Sequence, residues 1–361
     1  MKKVTFKIFL LTALCIFALG QTIKAKSEEF SKVVQKEFSI NSNTTLEINN
    51  KYGSVHIQNW DQNSFKIVVK ITVDIKDKDQ ADKIMDMLSV VFMQDGDRVT
   101  ATTKISEDFG KLHGWFGNSG KKFSIDYTVN MPKNNDLKIA NKYGNIFIDE
   151  MRGFVDIDLK YGDMTINKLT RGDEKPMNQI LMGYSKANIS EANWLKLQVS
   201  YSKIDIDNSK ALILISKYSK GNLGKTSSLV SENAYDQFQL SDLSNLVVDC
   251  KYSNFQINSI ARKIDANLQY SDLRVNFVPK SFESIEVDNR YGKVNIGIES
   301  GASYHLNGFA KYTNIEYPND NARLNRISEN TRLTVNGTIG SNPKATVKVN
   351  TEYGGVKLTQ N

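Results

Sequence analysis

A chain of 361 residues with 40% apolar, 10% aromatic and 24% charged side chains can build a sizeable core and does not have the composition of a disordered protein. Five prolines exclude long proline-rich linkers and favour one continuous body. The formal net charge of +7 falls to +4 (44 basic against 40 acidic residues) once the first twenty residues are set aside, too weak an excess to imply nucleic acid.

Residues 1–20 read as an export signal. Lys2, Lys3 and Lys7 form a basic start, and residues 8–19 are an apolar run too short for an ordinary membrane span. Ala18-Leu19-Gly20 offers a cleavage site before Gln21, and cutting after Ala25 is the alternative. Leu14 precedes Cys15, which argues against a lipoprotein signal. The expectation is export through the Sec pathway to the periplasm, the outer-membrane surface or the extracellular space. Without Cys15 the chain keeps only Cys250, so no internal disulfide is expected and that residue reads as a core filler.

The body is expected over residues 38–361. Its first motif is Asn50-Lys51-Tyr52-Gly53, repeated as Asn141-Lys142-Tyr143-Gly144. Between them, residues 62–130 predict something else. Residues 65–73 form a long strand, and residues 79–88 a short helix capped by Asp77 or Asp79. Residues 90–94 and 98–105 make a hairpin around Asp95-Gly96, and residues 123–129 another strand. This small α+β insertion is expected to cap the first coils of the repetitive body. Its glycine-rich run 110–120 lacks the Gly-Lys-Ser/Thr ending of a phosphate loop. The Trp115-Phe116 tip of that run is a candidate contact with glycan or lipid, or else tucks onto the insertion.

From Tyr143 onward the chain repeats. Tyr143, Tyr161, Tyr184, Tyr201, Tyr218, Tyr235, Tyr252, Tyr270 and Tyr291 recur with Tyr312, at spacings mostly of 17 or 18 residues and later 21, and Tyr52 and Tyr353 carry the same local pattern. Six and four residues before most of the tyrosines stand Leu, Ile or Val; three and five after most of them, apolar residues return. Both runs alternate as half-buried strands do, with parity shifted between them, so a bend lies just after the tyrosine. The bend residue is Gly or Ser at ten of the twelve sites. Serine's frequency argues for a small residue that bonds locally rather than for an obligatory positive φ. Strand, corner, strand, corner predicts an all-β fold: a right-handed parallel β-helix, or β-solenoid, with rungs of about 17–21 residues. The tyrosines then form a structural ladder, with Asn50, Asn141, Asn233 and Asn289 bonding along the stack on the inner side. Arg171-Gly172-Asp173 lies in a short bulge, and three residues carry almost no specificity. Only eight residues follow Tyr353, so the last rung, around residues 346–358, is expected to expose an edge open to self-association, a partner or a surface.

The position just before tyrosine is Lys51, Lys142, Lys160, Lys217, Lys251, Arg290 and Lys311 at seven of twelve sites. Stacked, these make a basic stripe, either a candidate site for a polyanion such as an anionic glycan or a solvated face that discourages lateral pairing. His56, His113 and His305 are scattered, and no spacing suggests a metal, a cofactor or a nucleophile. The best enzymatic case is a carboxylate pair among Asp158, Glu232, Asp249 and Asp288, three before tyrosine, although Lys160, Lys251 and Arg290 stand beside three of them.

Trp60-Asp61 before the strand 65–73, the Asn-Lys-Tyr-Gly segments, Lys160-Tyr161-Gly162 and the recurring Tyr-Gly/Ser pattern resemble the bacterial putative-adhesin family of envelope proteins, over residue 38 to the end. The resemblance implies an export signal, a β-helix-like body and no catalytic positions to carry over. The expected function is therefore non-enzymatic: adhesion, surface binding or envelope structure. A polysaccharide lyase or hydrolase and an envelope-stress sensing or regulatory component are the alternatives. Expected partners are an anionic glycan or another envelope component, without nucleic acid.

Overall fold

The computed structural model describes residues 28–109 and 123–361. The expected export signal, His113 and the Trp115-Phe116 tip lie outside them.

The alternation of apolar residues decides how the chain winds. In the strand Lys186–Ser200 the inward residues Leu195 and Leu197 need cover on their own level and on the next. Parallel pairing with Lys203–Lys217 places Leu212 beside Leu195 and Leu214 beside Leu197. Lys220–Ala234, Gln237–Lys251 and Asn254–Gln269 come next, each pairing in parallel with the strand before it. Among the described residues the result is all-β apart from one helix: 26 strands in one mostly parallel, stacked sheet system. Columns of like residues fill the interior. Leu195, Leu212, Leu229 and Leu246 form one, and Ile189, Ile206, Leu223 and Leu240 another, all buried. Each such side chain contributes about 1.5–3 kcal/mol by leaving water. Among the described residues no helix is long and apolar enough to cross a membrane.

The insertion folds as four strands and a helix. Ser64–Ile75 pairs antiparallel with Glu28–Ser39 and with Phe123–Met131; Leu88–Asp95 and Arg98–Ile105 form the hairpin. The helix Lys78–Asp86 starts where the Asp77 carboxylate accepts the Gln80 N–H at 3.1 Å. Ala81, Ile84 and Met85 turn inward from it. Two insertion strands do more than cover. Arg98–Ile105 and Phe123–Met131 pair in parallel with Thr45–Lys51 and Val55–Asn59, so they add one further coil beneath the first tyrosine motif. The strand Glu28–Ser39, upstream of the expected start at residue 38, lengthens one face.

At the other end the expected order of coils is corrected. The strand Ala345–Glu352 does not close the stack. It lies between Ser284–Arg290 and Tyr304–Lys311, parallel to both. Val356–Gln360 likewise lies between Val294–Ile298 and Ile315–Glu316. The edge expected to be open is thus filled within the chain at residues 345–352, and at Val356 and Lys357 of the last strand. The true end is the coil of Tyr304–Lys311, whose outer edge is taken by Arg332–Ile339 in antiparallel pairing, and that strand by Ala322–Glu329. A 41-residue gap between Tyr312 and Tyr353 leaves room for this hairpin and the return.

Candidate functional site

The corner after each inward strand is built on an uncommon backbone state. All twelve motif tyrosines have positive φ, from 50° to 67°. A single left-handed residue reverses the inside–outside alternation, which is why apolar residues sit at even offsets before tyrosine and odd offsets after it. The left-handed state thus belongs to the tyrosine, not to the small residue after it. For an L-residue it costs roughly 1–2 kcal/mol. Stacking offsets this cost. The rings run Tyr52, 143, 161, 184, 201, 218, 235, 252, 270, 291, 353 and 312 in unbroken order, with centroids 4.6–5.2 Å apart and planes within 16°. An interior ring makes two such contacts, each contributing roughly 0.5–1.5 kcal/mol. From Tyr161 onward the rings are 41–54% exposed. Phe123 closes one end, edge-on to Tyr52 at 5.2 Å.

The next residue is small because the neighbouring coil passes against it. A Cβ on Gly144 would lie 1.9 Å from the Gly53 carbonyl oxygen, and one on Gly292 would lie 1.8 Å from that of Ser271. Where serine replaces glycine, it bonds along the stack: the Ser185 N–H donates to Ser202 Oγ at 3.1 Å, and Ser202 N–H to Ser219 Oγ at 3.2 Å. Each hydroxyl donates back to the carbonyl two residues earlier, Ser202 to Ser200 at 2.7 Å. Glycine corners use the buried asparagines instead. Asn50 Nδ2 donates to Gly53 O at 3.0 Å, and Asn289 Nδ2 to Gly292 O at 2.8 Å. The four expected asparagines are buried on the inner side, but only Asn50 and Asn141 lie on adjacent coils, so they do not form a continuous amide row. Asp236 is the exception in the serine run. Its carboxylate accepts from Ser219 N–H, Ser216 Oγ and Asn233 Nδ2, and burial pushes its pKa upward against these bonds.

Lys51, Lys142 and Lys160 stand on three successive coils of the expected basic stripe. The stripe is then interrupted by Gly183 and Ser200 before Lys217, by Ala234 before Lys251, and by Gln269 before Arg290. Four of its ammonium groups lie over tyrosine rings: Lys51, Lys142, Lys217 and Lys311, at 4.8–5.3 Å from the centroid of the adjacent ring. Lys311 also pairs with Glu352 at 2.9 Å.

A second basic row, two residues after tyrosine, is absent from the sequence expectations. Lys186, Lys203 and Lys220 occupy directly paired positions on three successive coils. With Tyr184, Tyr201, Tyr218 and Tyr235 they line an open groove of about 1040 Å³ that continues to Gln237 and Asn254. Lys203 bonds Asp205 at 2.8 Å. Burial opposes ionisation of Asp205, but the bonds from Lys203 and Asn222 outweigh it and hold its pKa below the usual value. The signal lay in the spacing: a lysine two places after tyrosine on three consecutive repeats is as regular as the stripe one place before it.

The carboxylates weighed for catalysis are drawn into rows of their own. Asp249 accepts the Asn267 amide at 3.2 Å and Asp288 the Asn350 amide at 2.9 Å, each from the neighbouring coil. Glu232 and Asp249 are direct neighbours, while Asp158 lies several coils away. His56 rests edge-on against Phe147, and His305 is exposed on a separate strand. Among the described residues no three or more His, Cys, Asp or Glu side chains are grouped to hold a metal. Cys250 is buried, and burial raises its thiol to about 11. Arg171 is held over the Phe154 ring and pairs with Glu174 at 3.3 Å, so the Arg-Gly-Asp tripeptide does not present a free guanidinium.

The family model of Toastrack DUF4097 matches residues 43–359. No curated protein matches the chain. Among solved structures, the chain is similar to a "putative adhesin" of Parabacteroides merdae (10% identity, 91% of this chain and 96% of that one, TM-score 0.32). It is also similar to a "putative adhesin" of Bacteroides fragilis (9%, 91% and 97%, 0.28). A third is a "putative lipid binding protein" of Parabacteroides distasonis (10%, 91% and 96%, 0.27).

Proposed function

We propose, from the premise that the chain belongs to the Toastrack DUF4097 family, that it is a non-enzymatic envelope protein that binds an extended surface or polymer along its tyrosine-bearing side. Residues 1–20 direct its export through the Sec pathway, and it works in the periplasm, on the outer membrane surface or outside the cell. The coils wind right-handed, the hand that parallel crossovers overwhelmingly take. The observation that carries the reading is the uninterrupted stack of twelve half-exposed or partly exposed rings with cations along its flanks. A row of this length repeats one chemistry many times, which suits a repeating ligand better than a small molecule. Asparagine bonding of Asp249 and Asp288 supports ordinary coil-to-coil pairing of the acids over a catalytic pair.

The test is a glycan array with the exported protein, followed by assay of every bound glycan for cleavage. Binding without bond breakage is expected. Release of shortened or unsaturated products would transfer the protein to the polysaccharide-active enzymes. A second measurement is retention on an acidic polysaccharide that weakens with ionic strength. The Lys142→Glu, Lys160→Glu, Lys217→Glu triple variant asks whether the stripe before the tyrosines takes part.

A further inference from the structure

We infer that the groove between the tyrosine stack and Lys186, Lys203 and Lys220 is a subsite for a linear acidic polysaccharide carrying one carboxylate per sugar. The inference rests on the binding function proposed above and assigns the ligand's chemistry and place.

Three features of the groove select this class. The first is charge at a fixed repeat. The three lysines are register partners on consecutive coils, so their period is that of the adjacent rings, 4.9 Å for Tyr184–Tyr201 and again for Tyr201–Tyr218. An extended pyranose chain advances by close to one such strand spacing per ring. Successive carboxylates turn about the axis of such a chain, and the long flexible lysine side chains can reach those on either edge. An acidic peptide in extended form places a carboxylate every ~3.3 Å, alternating between faces, and does not share the lysines' period.

The second is availability. Among the described residues neither Lys186 nor Lys220 makes an ion pair; Asp205 pairs with Lys203 and also acts electrostatically on Lys186, whose register neighbour is Asp163. In the stripe on the other flank, by contrast, these coils carry Gly183 and Ser200, and Lys217 leans on its own tyrosine at 5.3 Å. The basic track thus crosses the ladder, lying before the tyrosine at Lys51, Lys142 and Lys160 and after it at Lys186, Lys203 and Lys220.

The third is what the tyrosines leave exposed. Their faces are used up against one another, at interplanar angles of 1–16° over this stretch. Only ring edges and hydroxyls face the groove, and these suit sugar hydroxyls. Bases of a single-stranded nucleic acid need open aromatic faces to stack on. Beyond the lysines the groove ends in the amides Gln237 and Asn254, further partners for hydroxyls, with Asp163 and Asp236 also in its lining.

The experiment uses the exported full chain with polygalacturonate as the probe, a neutral glucan as control and duplex DNA as competitor, at two ionic strengths. The wild type is expected to bind polygalacturonate and to ignore the glucan. The Lys186→Gln, Lys203→Gln, Lys220→Gln triple variant should bind at least tenfold more weakly, with a flatter salt dependence and an unchanged unfolding midpoint. Loss of binding in the Lys142, Lys160, Lys217 variant alone would overturn this subsite and leave the binding function standing. So would a wild type that binds glucan equally well or prefers DNA. A wild type that binds no polymer or envelope material would remove the function and the subsite together.

Discussion

Tyr218 carries two opposed terms that substitution can separate. Its φ of 53° strains an L-residue, while its ring stacks on Tyr201 and Tyr235. Tyr218→Phe keeps the ring and loses only an exposed hydroxyl, so its unfolding free energy should stay within about 0.5 kcal/mol of wild type. Tyr218→Ala loses the stack and keeps the strain, and should cost about 2 kcal/mol. Tyr218→Gly loses the stack but relieves the strain, and should recover about 1 kcal/mol of that loss. Denaturant titration of the three variants checks the ordering. At Gly144 the limit is space: Gly144→Ala drives a Cβ into the Gly53 carbonyl and should cost more than about 2 kcal/mol by the same measurement.

Asp236 gives a pH signature. Burial raises its folded pKa, so its contribution to stability is complete below the ordinary carboxylate range and is lost as pH rises through the raised value. Asp236→Ser restores the residue found at 185, 202, 219, 253 and 271. It should stabilise the protein by about 1 kcal/mol at neutral pH, with the difference shrinking on acidification. A gap between melting midpoints that grew toward acid would contradict the assignment.

At the scale of elements, the strands were legible because inward apolar residues alternate and the parity reverses at each tyrosine. Leu195, Leu212 and Leu229 stand at matching offsets and stack as expected. The corner chemistry was legible only in part. The repeated Gly/Ser marked a tight place, but the left-handed residue is the bulky one beside it, since a ring that can stack tolerates a strain that an isolated side chain would not. The order of the last coils was not legible. Tyr291, Tyr312 and Tyr353 share one motif, and nothing in a parallel strand's side chains says which like neighbour it will join. Hydrogen exchange reads the outcome directly. Amides of residues 346–351, paired on both sides, should exchange as slowly as those of residues 212–217. Fast exchange there would restore the open-edged arrangement.

For the whole molecule, both ends are finished by antiparallel additions: the insertion with Glu28–Ser39 at one, the pair Ala322–Glu329 and Arg332–Ile339 at the other. Parallel coils can be extended indefinitely, and a change of strand direction with charged residues such as Arg323, Arg326 and Glu329 ends the extension. Of the candidate site, the ladder and one basic stripe were visible in spacing alone. The groove was not, because it is formed by residues on both sides of a corner whose angle the sequence does not state. Removing residues 345–361 should detach the Tyr304–Ile339 unit from the coil above it. Limited proteolysis would then release that unit while the fragment ending near residue 298 stays resistant.

The interleaved position of Ala345–Glu352 also sets a timetable. Synthesis delivers the chain from its beginning, yet the level holding Tyr353 fits between those of Tyr291 and Tyr312, both delivered earlier. The final levels must therefore wait, parted, for a segment that arrives after them. A copy interrupted before residue 345 leaves the strands Ser284–Arg290 and Tyr304–Lys311 without the partner that lies between them.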